Sequence, residues 1–242
     1  MARVMNGWME FAGVKSSDMG VSLMEGARYV RPAWRGTSKT AAGKSGDLWI
    51  SDGAYETVEI KRKLRCRLSR LDSAAAWLTG SGPLRFSWAE NRAYDARAAK
   101  SSDAAQVSPD ADPLMEFDVT FTCQPFRRLV PEAEPFTISA SGESFTNPGT
   151  APSLPRVKIT GSGDFSVSIG METLFFSGVS GGGIIVDSEL MDALTYDGEL
   201  LANDRVSGTP FQIQPGVNVV SWLAESGSSV TAVEILPRGR YL

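Results

Sequence analysis

Residues 117–123, which read Phe-Asp-Val-Thr-Phe-Thr-Cys, place an apolar side chain at every second position. Residues 165–169, which read Phe-Ser-Val-Ser-Ile, repeat this alternation. Successive side chains of a β-strand point to opposite faces of the sheet, so a period of two predicts strands that bury one face. Both stretches therefore predict antiparallel sheets, each with one face against a core.

Turn-forming residues separate the short apolar runs along the whole chain. Clusters of Gly, Pro, Asn and Asp occur at residues 46–47, 52–53, 147–149, 197–198 and 214–216. This density of turn signals favours a mostly β protein. One short helix is expected where Asp72 or Ser73 could cap the run 74–78, with Gly80 and Gly82 following it. The predicted fold class is two β-sandwich-like domains, the first of which contains that helix.

Charge and composition divide the chain in two. Residues 1–130 contain 19 Lys/Arg and 15 Asp/Glu, a net charge of +4, whereas residues 131–242 contain 5 and 13, a net charge of −8. Pro131-Glu132-Ala133-Glu134-Pro135 resembles a linker, since two prolines limit regular structure. We therefore predict domains at 1–130 and 131–242. The Ala-, Ser- and Asp-rich residues 98–113 have no periodicity and are expected to form a loop.

Composition also excludes several classes of function. The chain has no histidine, which rules out Ser-His-Asp and Cys-His catalysis within it and HExxH metal sites. Two distant cysteines, Cys66 and Cys123, are too few for a disulfide framework, and both are expected to be buried and reduced. No stretch is long and apolar enough to span a membrane, and residues 1–8 lack the apolar region of a signal peptide. We expect a protein without enzymatic activity, cofactor or metal, made in a cytoplasm.

Two local patterns resemble catalytic motifs. Gly43-Lys44-Ser45 matches the end of a phosphate-binding loop, but position 38 is Ser where that motif needs Gly, and Gly46 follows where it needs a helix. A glycine-rich hairpin or arm loop is the better interpretation. Asp187 and Glu189 follow an apolar run and could act as the carboxylate pair of a glycosidase, but acids at strand ends are commonly solvated.

Residues 60–70 alternate between apolar and basic side chains. As a strand, this segment places Ile60, Leu64, Cys66 and Leu68 on one face, which Arg62 interrupts. The other face presents Lys61, Lys63, Arg65 and Arg67. Four cations in a row could meet nucleic acid or an acidic partner surface, and we predict an assembly contact there. A solvated face is the alternative, since long basic side chains also cover apolar surface.

Taken in order, the motifs resemble those of the distal tail proteins of siphophages over nearly the full length. In the first part the matching segments are 11–20, Gly43-Lys44-Ser45-Gly46-Asp47-Leu48, Asp52-Gly53-Ala54-Tyr55, the helix ending at Trp77-Leu78, 82–86 and 117–126. In the second part they are Asn147-Pro148-Gly149-Thr150-Ala151-Pro152, Pro155, Gly161-Ser162-Gly163, 185–189 and 214–218. The chain departs from the family in its longer loop at 98–113 and its glycine-rich loop at 181–183.

This resemblance implies a structural protein of a phage or prophage virion. Six copies would form a ring through the first domain, join the tail tube protein above to tail-tip or tail-associated proteins below, and let DNA pass as transient cargo. The second domain would be a galectin-like or carbohydrate-module-like sandwich. The family supplies no catalytic or cofactor residues, and no membrane contact is expected.

Two rival functions remain open at this point. A carbohydrate-binding module would engage host cell-surface glycans through exposed aromatics, for which Phe175, Phe176, Tyr196 and Trp222 are candidates. An exposed aromatic beside polar groups in a groove would favour it. A glycan hydrolase would instead need two carboxylates facing each other across a cleft.

Overall fold

The structure is a computed structural model that describes residues 7–242. Residues 1–6, which form most of the segment without a signal peptide pattern, lie outside the described residues. The chain divides into two compact units, of which the first ends at Val130 and the second runs from Pro131 to Tyr241. The described residues are mostly in strands, with one short α-helix, so the predicted fold class is confirmed. None of the helices in residues 7–242 is long and apolar enough to cross a membrane.

Antiparallel strands make up most of the first unit. They are β1 (Met9–Phe11), β2 (Val14–Lys15), β3 (Ser22–Leu23), β4 (Trp34–Thr40), β5 (Asp47–Tyr55), β6 (Val58–Arg67), β7 (Ser81–Phe86), β8 (Arg92–Ser101), β9 (Ala105–Gln106) and β10 (Leu114–Leu129). Eight of them form one sheet in the order β2-β1-β7-β8-β10-β6-β3, with β9 also paired to β10. Among the described residues, strands β4 and β5 pair only with each other and form a separate two-stranded sheet.

The alternation in β10 and β6 places one face of the large sheet in the core. Phe117, Val119, Phe121 and Cys123 are all buried, as the sequence predicts. Residues of β6 alternate in the same way, but the strand ends at Arg67. Leu68, expected on the inner face, instead begins a 3-10 turn and is 47% exposed. The prediction for Leu68 was wrong because the chain leaves the sheet one residue earlier.

Two further expectations are corrected in this unit. Helix α1 (Leu71–Trp77) begins before Asp72, and no side chain caps it. The helix position follows from the burial of Ala74 against the sheet. Asp72 lies in the first turn, where its negative charge interacts favourably with the helix dipole.

Residues 98–113 are not one loop, since β8 extends to Ser101 and β9 lies within them. The 16-residue β10 forms backbone hydrogen bonds with both β8 and β9. Backbone groups make these bonds, so the strands can form without alternating apolar side chains.

The second unit is a sandwich of antiparallel strands. They are β11 (Phe136–Ile138), β12 (Ser144–Asn147), β13 (Arg156–Ile169), β14 (Glu172–Val179), β15 (Gly183–Asp187), β16 (Asp192–Thr195), β17 (Val206–Gly208), β18 (Gly216–Ala224) and β19 (Ser229–Leu236). The first half of β13 lies between β19 and β15, and its second half lies between β18 and β14. Both halves send buried side chains into one core, including Ile159 and Val167.

Strand β13 changes partners at its glycines. A Cβ atom on Gly161 would lie 2.3 Å from the backbone oxygen of Ser229, and Gly163 has φ of +84°. Only glycine allows this close approach and this backbone conformation without strain. The glycines at 161 and 163 therefore allow a bend inside a strand.

Cys66 and Cys123 are free and fully buried on neighbouring strands, as predicted. Cys66 pairs with Met115, and Cys123 pairs with Val58, eight positions along the same strand pair. At about 3.4 Å per residue they are roughly 27 Å apart, whereas a disulfide needs Cα atoms within about 7 Å.

We expect both thiols to react slowly in the native protein. Burial raises the pKa of the Cys66 thiol, and it raises the pKa of Cys123 to about 12, so little reactive thiolate forms at neutral pH. Labelling with a thiol reagent at pH 7.5, followed by intact mass, should show slow modification that becomes complete in denaturant. Rapid labelling of both thiols in the folded protein would contradict the burial.

Candidate functional site

The hairpin of β4 and β5, which we call the arm, is almost entirely exposed. Every residue of β4 is exposed, and so are the first seven residues of β5. Three consecutive apolar residues of the arm are exposed by about half, namely Leu48 (42%), Trp49 (59%) and Ile50 (54%). Adjacent residues of a strand face opposite sides, so both faces of the arm present apolar surface.

The register shows how each face of the arm is built. Leu48 and Ile50 lie opposite Lys39 and Thr37 on one face. Trp49 lies opposite Ser38 on the other, where its indole also covers Gly36, since a Cβ atom there would be 2.7 Å from the ring.

The base and the tip of the arm are held differently. At the base, the rings of Trp34 and Tyr55 have centroids 4.7 Å apart, and Tyr55 contacts Phe126 of β10 at 5.3 Å. At the tip, residues 41–46 connect the two strands, and Ala42 and Gly43 form a turn that the hydrogen bond from the Lys44 amide to the Ala41 oxygen closes. The Gly-Lys-Ser sequence therefore belongs to a hairpin turn, and no helix follows it as a phosphate-binding loop requires. Sequence reasoning predicted the hairpin but missed Leu48, Trp49 and Ile50, for which three adjacent apolar residues between turn signals were the available clue.

The basic side chains of β6 lie on the outer face of the large sheet, opposite acidic residues of β10. The Nζ of Lys61 is 3.0 Å from Asp118, and that of Lys63 is 4.0 Å from Glu116. Arg65 also binds Glu116, and Arg67 lies 3.5 Å from Asp110. All four cations thus have acidic partners within the same chain. Their predicted contact with another chain stays a prediction.

Arg62 occupies the inner face of β6 and is only 2% exposed. Its guanidinium lies 4.8 Å from the ring centroid of Phe86 and donates to the backbone oxygens of Lys61 and Arg28. Burial lowers the pKa of Arg62, and it outweighs the opposing effect of the Glu25 charge. Arg62 interrupts the apolar face of β6 in the sequence, and in the structure it is a buried arginine stacked on an aromatic ring.

Asp187 and Glu189 lie together at the end of β15, but they contact an arginine that sequence reasoning missed. Arg238 donates from its two terminal nitrogens to the two carboxylate oxygens of Asp187, at 2.7 and 2.8 Å. Glu189 lies 3.4 Å from the same guanidinium and 3.7 Å from Arg240. Burial opposes ionisation of Asp187, but the hydrogen bonds from Arg238 and from the Leu190 amide outweigh it and lower its pKa. A carboxylate held ionised by a bidentate arginine acts as a structural clamp.

The four candidate aromatics of the second unit lie in different environments. Phe176 is buried in the core, Trp222 packs partly against it, and Phe175 is 58% exposed on the outer face. Tyr196, just after β16, lines a groove together with charged side chains. Of the four, Tyr196 therefore has the surroundings expected of a binding module.

Comparison with known proteins gives a match at the level of structure. No family model and no curated protein matches the sequence. The solved structure of SPP1 Dit (gp 19.1), described as a paradigm of the hub adsorption apparatus in Gram-positive infecting phages, is similar. The likeness has a TM-score of 0.77 and covers 98% of this chain and 99% of that chain, at 16% sequence identity. The predicted resemblance to distal tail proteins is thus confirmed as a shared fold.

Proposed function

We propose that this chain is a structural component of a phage or prophage tail tip, where six copies form a ring. The ring would connect the tail tube protein to tail-tip or tail-associated proteins and let DNA pass through its centre. The chain would be made in the bacterial host cytoplasm and would function in the virion. The likeness to SPP1 Dit supports this role, because it covers 98% of the chain and therefore extends over both units.

The exposed arm is the observation that supports the proposed ring most strongly. A two-stranded hairpin is at best marginally stable in water by itself, and this one presents apolar side chains on both faces. Within residues 7–242 its two strands pair only with each other, which leaves both outer backbone edges available for hydrogen bonding. A neighbouring copy that covers the arm would bury the apolar residues and satisfy an edge.

Such a contact also has the symmetry of a ring. The arm of one copy would lie on a different surface of the next, which is a heterologous contact, and heterologous contacts close into rings when the rotation allows it. The basic face of Lys61, Lys63, Arg65 and Arg67 is a second proposed contact. Its cations are already paired with acids of the same chain, so we expect it to contribute less than the arm.

The mass of the purified chain in solution tests the ring. We expect light scattering to give six copies of 26.0 kDa, about 156 kDa, and negative-stain images to show a central hole. Because apolar contacts are not screened by salt, the mass should persist at high ionic strength. A mass of one chain across the micromolar range, with no rings in the images, would contradict the proposal.

A further inference from the structure

A groove of about 310 Å³ lies on the outer face of one sheet of the second unit. We call it the Tyr196 groove, and its lining comprises Pro135, Arg156, Lys158, Ile185, Tyr196, Asp197, Glu234 and Leu236. The strand register explains how these side chains meet. Lys158 of β13 lies between Glu234 of β19 and Ile185 of β15, and Arg156 lies two residues before it on the same face.

Tyr196 is held firmly on this sheet. Its hydroxyl lies 3.1 Å from Oγ1 of Thr160, and the Nζ of Lys158 lies 4.0 Å from its ring centroid. The ring also lies against Gly183, where a Cβ atom would be 2.8 Å from the ring and 1.9 Å from the backbone oxygen of Ile159. The glycine-rich loop at 181–183 therefore makes room for an aromatic ring on the sheet. This ring forms a preorganised wall of the groove.

Three charged side chains of the groove form no ion pair with a described residue. Within residues 7–242, Arg156, Lys158 and Glu234 form no salt bridge, although Lys158 and Glu234 are cross-strand neighbours. Arg65 of β6 and Glu116 of β10, which are also cross-strand neighbours, do form an ion pair. In the groove, the ammonium of Lys158 lies over the Tyr196 ring instead, which leaves the carboxylate of Glu234 free as an acceptor.

We propose that the Tyr196 groove binds a neutral saccharide. Two cations, Arg156 and Lys158, and two acids, Asp197 and Glu234, leave the groove with no net charge, so it attracts neither anions nor cations strongly. Free donors beside free acceptors match vicinal hydroxyl groups, each of which both donates and accepts. The half-buried apolar surface of Leu236 and Tyr196 suits the C–H face of a sugar ring. The volume lies at the lower end of the usual range for ligand sites, about 300–1,000 Å³.

This binding goes beyond the proposed ring, because the ring contacts lie in the first unit and the groove lies in the second. A chain that fails to form rings could still bind a saccharide, and a ring without saccharide binding would keep its structural role. The two proposals therefore fail separately.

Saturation-transfer NMR on the full chain tests the groove. The probes are neutral saccharides, namely glucose, galactose, N-acetylglucosamine, N-acetylgalactosamine and their common disaccharides, with inorganic phosphate as the anionic probe. We expect at least one saccharide to bind with a Kd of about 1 mM and phosphate to show no competition.

The matched variants are Glu234→Gln in the groove and Glu225→Gln in an exposed turn away from it. Glu234→Gln, which removes a charge but little volume, should weaken binding about tenfold or more, and Tyr196→Ala should abolish it. Glu225→Gln should bind like the unmodified chain. Absence of binding by every saccharide would overturn the proposal, and so would equal binding by the Glu234→Gln chain or displacement of the saccharide by phosphate.

Discussion

Replacing both Leu48 and Ile50 with serine should reduce the mass in solution from about 156 kDa to the 26.0 kDa of a single chain. Both side chains lie on one face of the arm, and neither is buried within its own chain. Full burial of one such side chain against a partner contributes about 1.5–3 kcal/mol. Each of the two residues is already about half covered by its own chain, so removing both should weaken each interface by about 1.5–3 kcal/mol, which is tenfold or more in Kd.

The same substitutions should leave each chain folded. Changes at exposed positions usually alter the free energy of unfolding by less than about 0.5 kcal/mol. Light scattering and denaturant unfolding on the same samples would separate assembly from folding. Leu223→Ser is the matched control, because Leu223 is 73% exposed but lies in the second unit, and we expect it to keep the ring. If the double variant kept the mass of the unmodified chain, the arm could not be the ring contact.

Replacing Arg238 with glutamine should destabilise the second unit by about 3 kcal/mol or more. Asp187 is only 4% exposed, and Arg238 satisfies both of its carboxylate oxygens. Removing one partner of a buried ion pair leaves a buried charge without compensation, which costs about 3–5 kcal/mol. Denaturant unfolding monitored by tryptophan fluorescence would measure this loss. Lys61→Gln is the control, because its pair with Asp118 is exposed and should be worth about 0–1 kcal/mol.

The pH dependence of the free energy of unfolding provides a second test of the ion pair between Asp187 and Arg238. The folded-state pKa of Asp187 is lowered, so its contribution to stability is fully present above the unfolded pKa of about 4 and is lost as pH falls through the folded value. We therefore expect the free energy of unfolding of the unmodified chain to fall more steeply below pH 4 than that of the Arg238→Gln variant. Parallel curves for the two chains would show that the clamp does not depend on ionised Asp187.

The β architecture follows directly from local sequence. The alternation in residues 117–123 and 165–169 decides which side chains face the core, because a strand has a period of two wherever it lies. Burial of Cys66 and Cys123 follows from the same alternation. Local patterns do not predict the strands at residues 98–101 and 105–106, which form because β10 is long enough to pair with both segments.

The proposed sites depended on contacts between residues far apart in the chain. Asp187 meets Arg238 because β19 and β15 both pair with β13, and nothing near Asp187 in sequence indicates that arginine. Tyr196 contacts Thr160 and Gly183 because β15 pairs with both β13 and β16. The glycine at 183 leaves space for the Tyr196 ring.

The sequence by itself determined that this protein is a mostly β chain without histidine chemistry, and its ordered motifs predicted the fold that it shares with SPP1 Dit. The tertiary structure alone decided that the basic side chains of β6 have acidic partners, that the acids at 187 and 189 form a clamp, and that the arm stays uncovered. The physical reason is that periodicity fixes which way a side chain points, whereas its partner depends on the register between strands that are distant in sequence.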